Sequence, residues 1–303
     1  IERAHNLIPN YVDLLCKEII HTSKLANDIG LNLQTVYIGG GTPTTLNAQQ
    51  MQKLLYTIIN NFNMDTCREF TVEAGRPDTI NEEILKVIKD NNVTRISINP
   101  QTFNDKVLEA VGRKHTSKQT IDAFSLARQY GFKNINMDII AGLPTDTIDS
   151  FKETIDRICL LDPESITIHT LSIKKAADLT KKGKKLYSKD SVLTSQMLDY
   201  AYDMLRDNRY IPYYLYRQSR MAGNNENTGW SKPNYKGLYN IYVMDETHTI
   251  LACGAGAVSK LKSIYDDSLE RIFNYKFPYE YMSDFEEIIR RKDKVKTFYD
   301  KFY

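Results

Sequence analysis

The chain has 303 residues, 26% of them charged and 42% apolar, with a formal net charge of +2. These totals describe an ordinary folded, water-soluble protein. Without a long basic run they exclude an electrostatic footprint for nucleic acid, and without a membrane-length apolar run or a secretory signal pattern they point to a cytoplasmic protein with no membrane partner. Cys16, Cys67, Cys159 and Cys253 stand far apart, at no metal-ligand or redox spacing, which fits a reducing compartment. Cys159 and Cys253 lie in apolar surroundings and read as core residues. The run Lys181 to Lys185 reads as a solvated loop.

In chain order, a helix is predicted from about Pro9 to Ile29, followed by the strand TVYIGG. Asn47 caps a second helix, with Met51, Leu54, Leu55, Ile58, Ile59 and Phe62 on one face. The strand EFTVEA follows; Asn81 then caps a helix that turns Ile84, Leu85 and Ile88 inward. After the strand TRISINPQ, Ser117 is expected to cap another helix and Gly131 to end it in the left-handed conformation. The strand NINMDIIAG, a helix carrying Ile148, Phe151, Ile155 and Ile158, and the strand ESITIHTL complete the series. About five strand-then-helix repeats signify a parallel sheet, either open and doubly wound or a barrel. Beyond Lys181 the pattern changes. A helix over roughly Asp190 to Asn208 leads into YIPYYLYRQ and the Gly/Asn-rich MAGNNENTGW. LYNIYVM and TILACGAGAV look like β-hairpin material, and a charged helix or two follow Tyr279. This divides the chain into a β/α part, residues 1–185, and a smaller α+β domain, residues 186–303.

The strands carry a second signal. Ile96 and Ile98 alternate with Arg95, Ser97 and Asn99; Ile135, Met137 and Ile139 with Asn136 and Asp138; Ile166 and Ile168 with Thr167 and His169; Phe70 and Val72 with Thr71 and Glu73. Strands covered on both faces by helices read as continuous apolar runs, and a packed barrel interior is filled with branched apolar groups. A polar second face therefore suggests a wide or incompletely closed barrel around a polar ligand and water.

At the end of the first strand, VYIGGGTPTTL drops its side chains at Gly39, Gly40 and Gly41. Glycines there let a ligand approach bare backbone, and ligands of parallel α/β folds sit at the strands' C-terminal ends. The Lys-Ser/Thr of a phosphate loop and the G-x-G-x-x-G spacing are both missing. On the glycines alone, a tight turn and a ligand site stay open as alternatives.

VYIGGGTPT, followed in order by VEAGRP, SINPQTFND, VGRKHT and NMDIIAGLPTDT, resembles the oxygen-independent coproporphyrinogen III oxidases (coproporphyrinogen dehydrogenases) and their heme-chaperone relatives among the radical S-adenosylmethionine enzymes. The similarity runs from about Pro9 to Lys260. It implies a partial (β/α)6 TIM-like barrel, five of whose strands are visible, with a smaller C-terminal α+β domain. It also implies two cofactors, S-adenosylmethionine and a [4Fe–4S] cluster held by C-x-x-x-C-x-x-C. That motif is not in this sequence. The resemblance places it, with the first strand, before Ile1, and implies that the stretch from Ile1 onward is inactive without it. The implied activity is oxidative decarboxylation of coproporphyrinogen III propionates to vinyl groups, with an electron donor as partner; the alternative is heme binding and transfer without oxidase activity.

Residue by residue, the resemblance assigns Gly40, Gly41 and Thr42 to the methionine part of the cofactor through backbone carbonyls, and Glu73 to its ammonium or ribose diol. It places Gln101 on the cofactor side of the barrel mouth, Arg113 on the methionine carboxylate, Asp138 on a ribose hydroxyl or cationic group of the cofactor, and Ser172 in a backbone contact to it. The competing readings are a structural turn at the glycines, an N-cap or a salt bridge to Arg95 for Glu73, an exposed helix end for Arg113 and a structural salt bridge for Asp138. His169 faces the interior by period two, as a hydrogen-bonded wall residue or a substrate group. Arg217, Arg220 and the tyrosines around them read either as propionate and ring contacts or as a tyrosine-rich core. No catalytic residue and no metal ligand is assigned within the chain.

Overall fold

The computed structural model describes residues 5–171, 191–217, 226–263 and 265–301. In chain order these form α1 (Ile8–Asp28), β1 (Thr35–Ile38), α2 (Ala48–Asn61), β2 (Glu69–Glu73), α3 (Glu82–Asp90), β3 (Arg95–Ser97), α4 (Asp105–Ala110), α5 (Ser117–Gln129), β4 (Ile135–Ala141), α6 (Ile148–Leu161) and β5 (Ser165–Thr170). There follow α7 (Ser191–Asp207), β6 (Ile211–Tyr216), β7 (Asn227–Ser231), α8 (Leu238–Asp245), β8 (Val258–Lys262), β9 (Leu269–Phe273), α9 (Pro278–Ser283), α10 (Phe285–Lys292) and α11 (Lys294–Tyr299). Ser172, the run Lys181–Lys185, Arg220 and the expected boundary at residue 185 lie outside the described residues.

Strands β1 to β5 are parallel and adjacent in sequence order, and the sheet continues through β7 to β6, both pairings antiparallel. This is the partial barrel of the sequence reading, extended by two strands from beyond residue 185. Phe70, Val72, Ile96, Ile98, Ile135, Met137, Ile139, Ile166 and Ile168 form one core with the inward residues of α2, α3, α5 and α6, among them Leu55, Ile84, Phe124 and Ile155. The opposite face carries the buried polar side chains Thr71, Arg95, Ser97, Asn99, Asn136 and Thr167. Register aligns them: Thr71 pairs with Arg95, Ser97 with Asn136 and Asp138 with Thr167. The polar hollow is thus a product of period two and in-register parallel pairing.

Several local expectations change. Thr116, not Ser117, caps α5, because Gln119 stands three residues on and completes a capping box. Asn47 and Asn81 cap α2 and α3 as expected. LYNIYVM is helix α8, not hairpin material, and TILACGAGAV is irregular until Val258, where β8 starts its pairing with β9. Three short helices, α9 to α11, end the described chain.

Helix α8 packs against both β1 and β6, the two edges of the open sheet, and so closes the hollow where the strands do not. The Glu69 carboxylate accepts the Leu238 N–H at 2.7 Å, satisfying a donor at the start of α8. The same residue is 3.9 Å from the buried Arg95 guanidinium, which donates to Ser165 and Asn136. These charges form the floor of the hollow, at the strands' N-terminal ends. On the far side, α1 packs against α2, α9 and α10. No helix of the described residues is long and apolar enough to cross a membrane.

Candidate functional site

The C-terminal ends of β1, β2, β4 and β5, with the loop after β3, make the mouth of the hollow. At β1 the three exposed glycines have two different physical reasons. A Cβ on Gly39 would lie 2.6 Å from the Tyr37 ring and 2.9 Å from the Glu73 carboxylate, so this position is glycine to admit that pair. Gly40 and Gly41 have φ of +77° and +111°, with nothing within 4 Å of where a Cβ would stand. Their glycine requirement is conformational, and the space beside them is open. The Thr42 carbonyl is used by the turn, accepting from the Thr45 N–H and hydroxyl at 2.9 and 2.7 Å. The Gly40 and Gly41 carbonyls accept no hydrogen bond from a described residue.

Glu73 ends β2 beside these glycines. It accepts a hydrogen bond from the Tyr37 hydroxyl rather than pairing with Arg95. Burial raises its pKa above the ordinary glutamate value; the Tyr37 hydrogen bond opposes this, the Asp138 charge adds to it, and the Gly40 N–H and His169 again oppose it. Asp138, on β4, accepts from Asn136 Nδ2 at 2.7 Å and lies 3.7 Å from His169 Nε2, while its backbone N–H donates to Asn99 Oδ1. Burial pushes its pKa up, but His169, Asn136 and Thr167 together hold it below the ordinary aspartate value. Two carboxylates of one site are therefore tuned in opposite directions, the pattern expected where charge is used.

Gln101 is buried with φ of +66°, an unusual conformation for a non-glycine residue. Its backbone continues the sheet after β3 ends, donating to the Asp138 carbonyl and accepting from the Ile140 N–H, both at 3.0 Å. Its carboxamide makes no hydrogen bond to a described residue. Arg113 is exposed, in the turn between α4 and α5. That turn is tied to the mouth through His115 Nε2, 3.1 Å from the Pro100 carbonyl. Desolvation and the nearby Arg76 lower the Arg113 pKa; its charged neighbours are Arg76 and Asp78, not Glu73 or Asp138. Arg217, just after β6, makes an exposed ion pair with Glu226 at 2.6 Å.

Gly40, Glu73, Gln101, Asp138 and His169 are thus brought together, Gly41 and Thr42 adjoin them by chain continuity, and Arg113 stands on the same rim without touching them. The sequence reading missed Tyr37 and Tyr239. Tyr37 lies on the polar face by the same period two, between Val36 and Ile38. Tyr239 of α8 stacks on it with ring centroids 4.2 Å apart and planes 14° from parallel. On the β6 side, Tyr214 crosses β7 at Gly229, where a Cβ would lie 1.8 Å from its ring, and its hydroxyl reaches within 3.5 Å of the Thr167 hydroxyl. A carboxylate of raised pKa beside free carbonyls and left-handed glycines can accept hydrogen bonds from an ammonium group or a diol.

The sequence model of the radical SAM superfamily, whose members work with S-adenosylmethionine and a [4Fe–4S] cluster, matches residues 3–158. The oxygen-independent coproporphyrinogen-III oxidase-like protein HemZ of Bacillus subtilis is 41% identical over 87% of this chain and 53% of its own length. The heme chaperone HemW of Lactococcus lactis is 30% identical over 87% of this chain and 66% of its own. The chain therefore spans about half to two thirds of the length of these relatives. In fold, it superposes on the coproporphyrinogen III oxidase HemN of Escherichia coli with a TM-score of 0.72 at 21% identity, over 93% of this chain and 63% of that one. Among the described residues, no group of three His, Cys, Asp or Glu is placed to hold a metal ion.

Proposed function

Because the chain belongs to the radical SAM superfamily, we propose that the full-length protein binds S-adenosylmethionine at this mouth and uses it for oxidative decarboxylation of coproporphyrinogen III to protoporphyrinogen IX. The observation that carries the cofactor assignment is the pair of left-handed glycines with open space and free carbonyls beside Glu73. An α-ammonium group finds acceptors at Gly40 and Gly41, with Thr42 holding their turn, and Glu73 supplies the anionic counterpart. Gln101 and Asp138 are assigned to the nucleoside half, Arg113 to the methionine carboxylate, and Ser172 to a backbone contact. The residues fit S-adenosylmethionine. They do not fit a cluster, since Cys16, Cys67, Cys159 and Cys253 are dispersed through the fold, all free.

When bound, the superfamily's cofactors would supply hydrogen-atom abstraction, here from a propionate side chain; the resulting carbon radical would lose carbon dioxide and pass one electron to a one-electron acceptor, leaving a vinyl group. This chain's part is to orient the sulfonium by backbone and carboxylate, and to hold the Asp138 carboxylate at the wall beside His169. An electron donor is the required partner. The split into a β/α part (residues 1–185) and a C-terminal α+β part (186–303) assigns the cofactor face to the first and closure by α8 to the second.

The identity to HemW favours a second reading, heme binding without oxidase activity. Anaerobic incubation of the full-length protein with reductant, S-adenosylmethionine and coproporphyrinogen III separates the two. The oxidase reading expects 5′-deoxyadenosine together with vinyl product. Tight heme binding with no vinyl product replaces it by the second reading.

A further inference from the structure

We infer that Tyr37 is a positioning residue that aims Glu73 at the ligand, and that Tyr239 of α8 clamps it, so that seating of α8 sets the geometry of the site. The inference rests on the cofactor assignment above. Three independent observations carry it. The Tyr37 hydroxyl donates to Glu73. Gly39 leaves the room in which ring and carboxylate meet, since a Cβ there would strike both. The Tyr37 ring lies parallel to Tyr239, on a helix that bridges the two sheet edges and is anchored at its start by Glu69. A carboxylate accepting from one fixed phenol keeps its other lone pairs directed elsewhere, toward neighbours that include the Gly40 N–H. The phenol is itself fixed by stacking, a contact of rings and not of hydroxyls.

The two roles, structural and positioning, differ in what they do to titration. Glu73 is faced by Tyr37 from β1, Asp138 from β4, His169 from β5, the Gly40 N–H and Tyr239 from α8. Of these, the Tyr37 hydroxyl stabilises the carboxylate form. Binding of cationic S-adenosylmethionine should weaken as pH falls and Glu73 takes a proton. Tyr37→Phe removes the donor, so the same weakening should begin at a higher pH, with affinity about tenfold lower near neutrality.

The test is equilibrium dialysis of labelled S-adenosylmethionine against the cluster-reconstituted full-length protein, from pH 5 to 8. Tyr37→Phe should shift the acid limb upward. Tyr239→Leu should shift it the same way by less, and Tyr239→Phe, which keeps the stack, should restore the wild-type profile. The Tyr239 pair carries the test if Tyr37→Phe does not fold. Wild-type binding with an unchanged profile in Tyr37→Phe and Tyr239→Leu overturns the inference and leaves the cofactor assignment standing. Absence of wild-type binding at any pH overturns the assignment itself, and the inference with it.

Discussion

Two buried clusters of charge invite comparison, one on the seam between α1 and the C-terminal helices, the other at the mouth of the hollow. On the seam, Glu18 and Lys292 are fully buried and 3.0 Å apart. Every remaining acceptor position is taken. Glu18 receives the Gly254 N–H at 2.8 Å, Asn274 Nδ2 at 2.8 Å and the Tyr281 hydroxyl at 2.7 Å, and Lys292 donates to the Ala252 carbonyl. At the mouth, Glu73 has a phenol on one side and open glycine backbone on the other, and Gln101 has no side-chain partner among the described residues. A closed set of partners marks charge that holds the fold together; an incomplete set marks charge kept for something that arrives later. Counting buried carboxylates would not separate the two, whereas asking where their hydrogen bonds go does.

The sharpest way to break the comparison is on the seam. Lys292→Ala leaves the Glu18 charge buried with neutral donors alone, which costs about 3–5 kcal/mol of stability. Replacing both charges, in Glu18→Leu with Lys292→Met, should recover part of that loss. Urea denaturation measures both, and dialysis of S-adenosylmethionine onto the folded fraction should find affinity unchanged. A loss below about 1 kcal/mol for Lys292→Ala would mean the pair is not the closed cluster described.

Next in size is the mouth. Gly39→Ala drives a methyl into the Tyr37 ring and the Glu73 carboxylate, at an overpacking cost of about 1–3 kcal/mol. Because the colliding atoms belong to the site, ligand affinity should fall as well. Gly40→Ala meets open space and should cost only its left-handed backbone, about 1–2 kcal/mol. If Gly39→Ala proved as mild as a surface change, with binding intact, the Tyr37–Glu73 pair would not be confined as described.

Much of this was legible in the sequence, and the gaps have physical causes. The alternation of Arg95, Ser97 and Asn99 with Ile96 and Ile98 gave away a sheet with a polar interior, because pleat alone fixes which side chains share a face. The caps at Asn47 and Asn81 were legible because they are local. Thr116 was equally readable from Gln119 three residues on, and the neighbouring Ser117 masked it. Helix α8 was not readable: LYNIYVM is apolar nearly all round, and what holds it helical is remote, the Glu69 carboxylate at its first turn and the two sheet edges at its sides. For the same reason Tyr239 could not be placed, while Tyr37 could have been, from period two alone. The assignment of Glu73 to the site came from the resemblance; its partner came only from the fold, since nothing in the local sequence distinguishes a tyrosine partner from Arg95.

The smallest effect is also the one that separates the two carboxylates of the mouth from each other. Glu73 has a raised pKa in the folded chain, first through burial, so its contribution to stability is complete below the ordinary value of 4.5 and is lost as pH rises through the raised value. Asp138 is held below its ordinary value of 3.8 by His169 and its hydrogen bonds, so its contribution is present above 3.8 and is lost as pH falls through the lowered value. Thermal unfolding of the ligand-free protein against pH should therefore show opposite signs. Glu73→Gln should remove a loss of stability on going from acid to neutral pH, gaining on wild type toward neutrality. Asp138→Asn should lose on wild type as pH rises through the lowered value to 3.8, and keep that deficit unchanged toward neutrality. Added S-adenosylmethionine should reverse the first result and leave the sign of the second, because a bound cation stabilises the Glu73 carboxylate that empty space does not. Parallel behaviour of the two variants would place both groups in one electrostatic environment and remove the distinction between a charge already satisfied and a charge held ready.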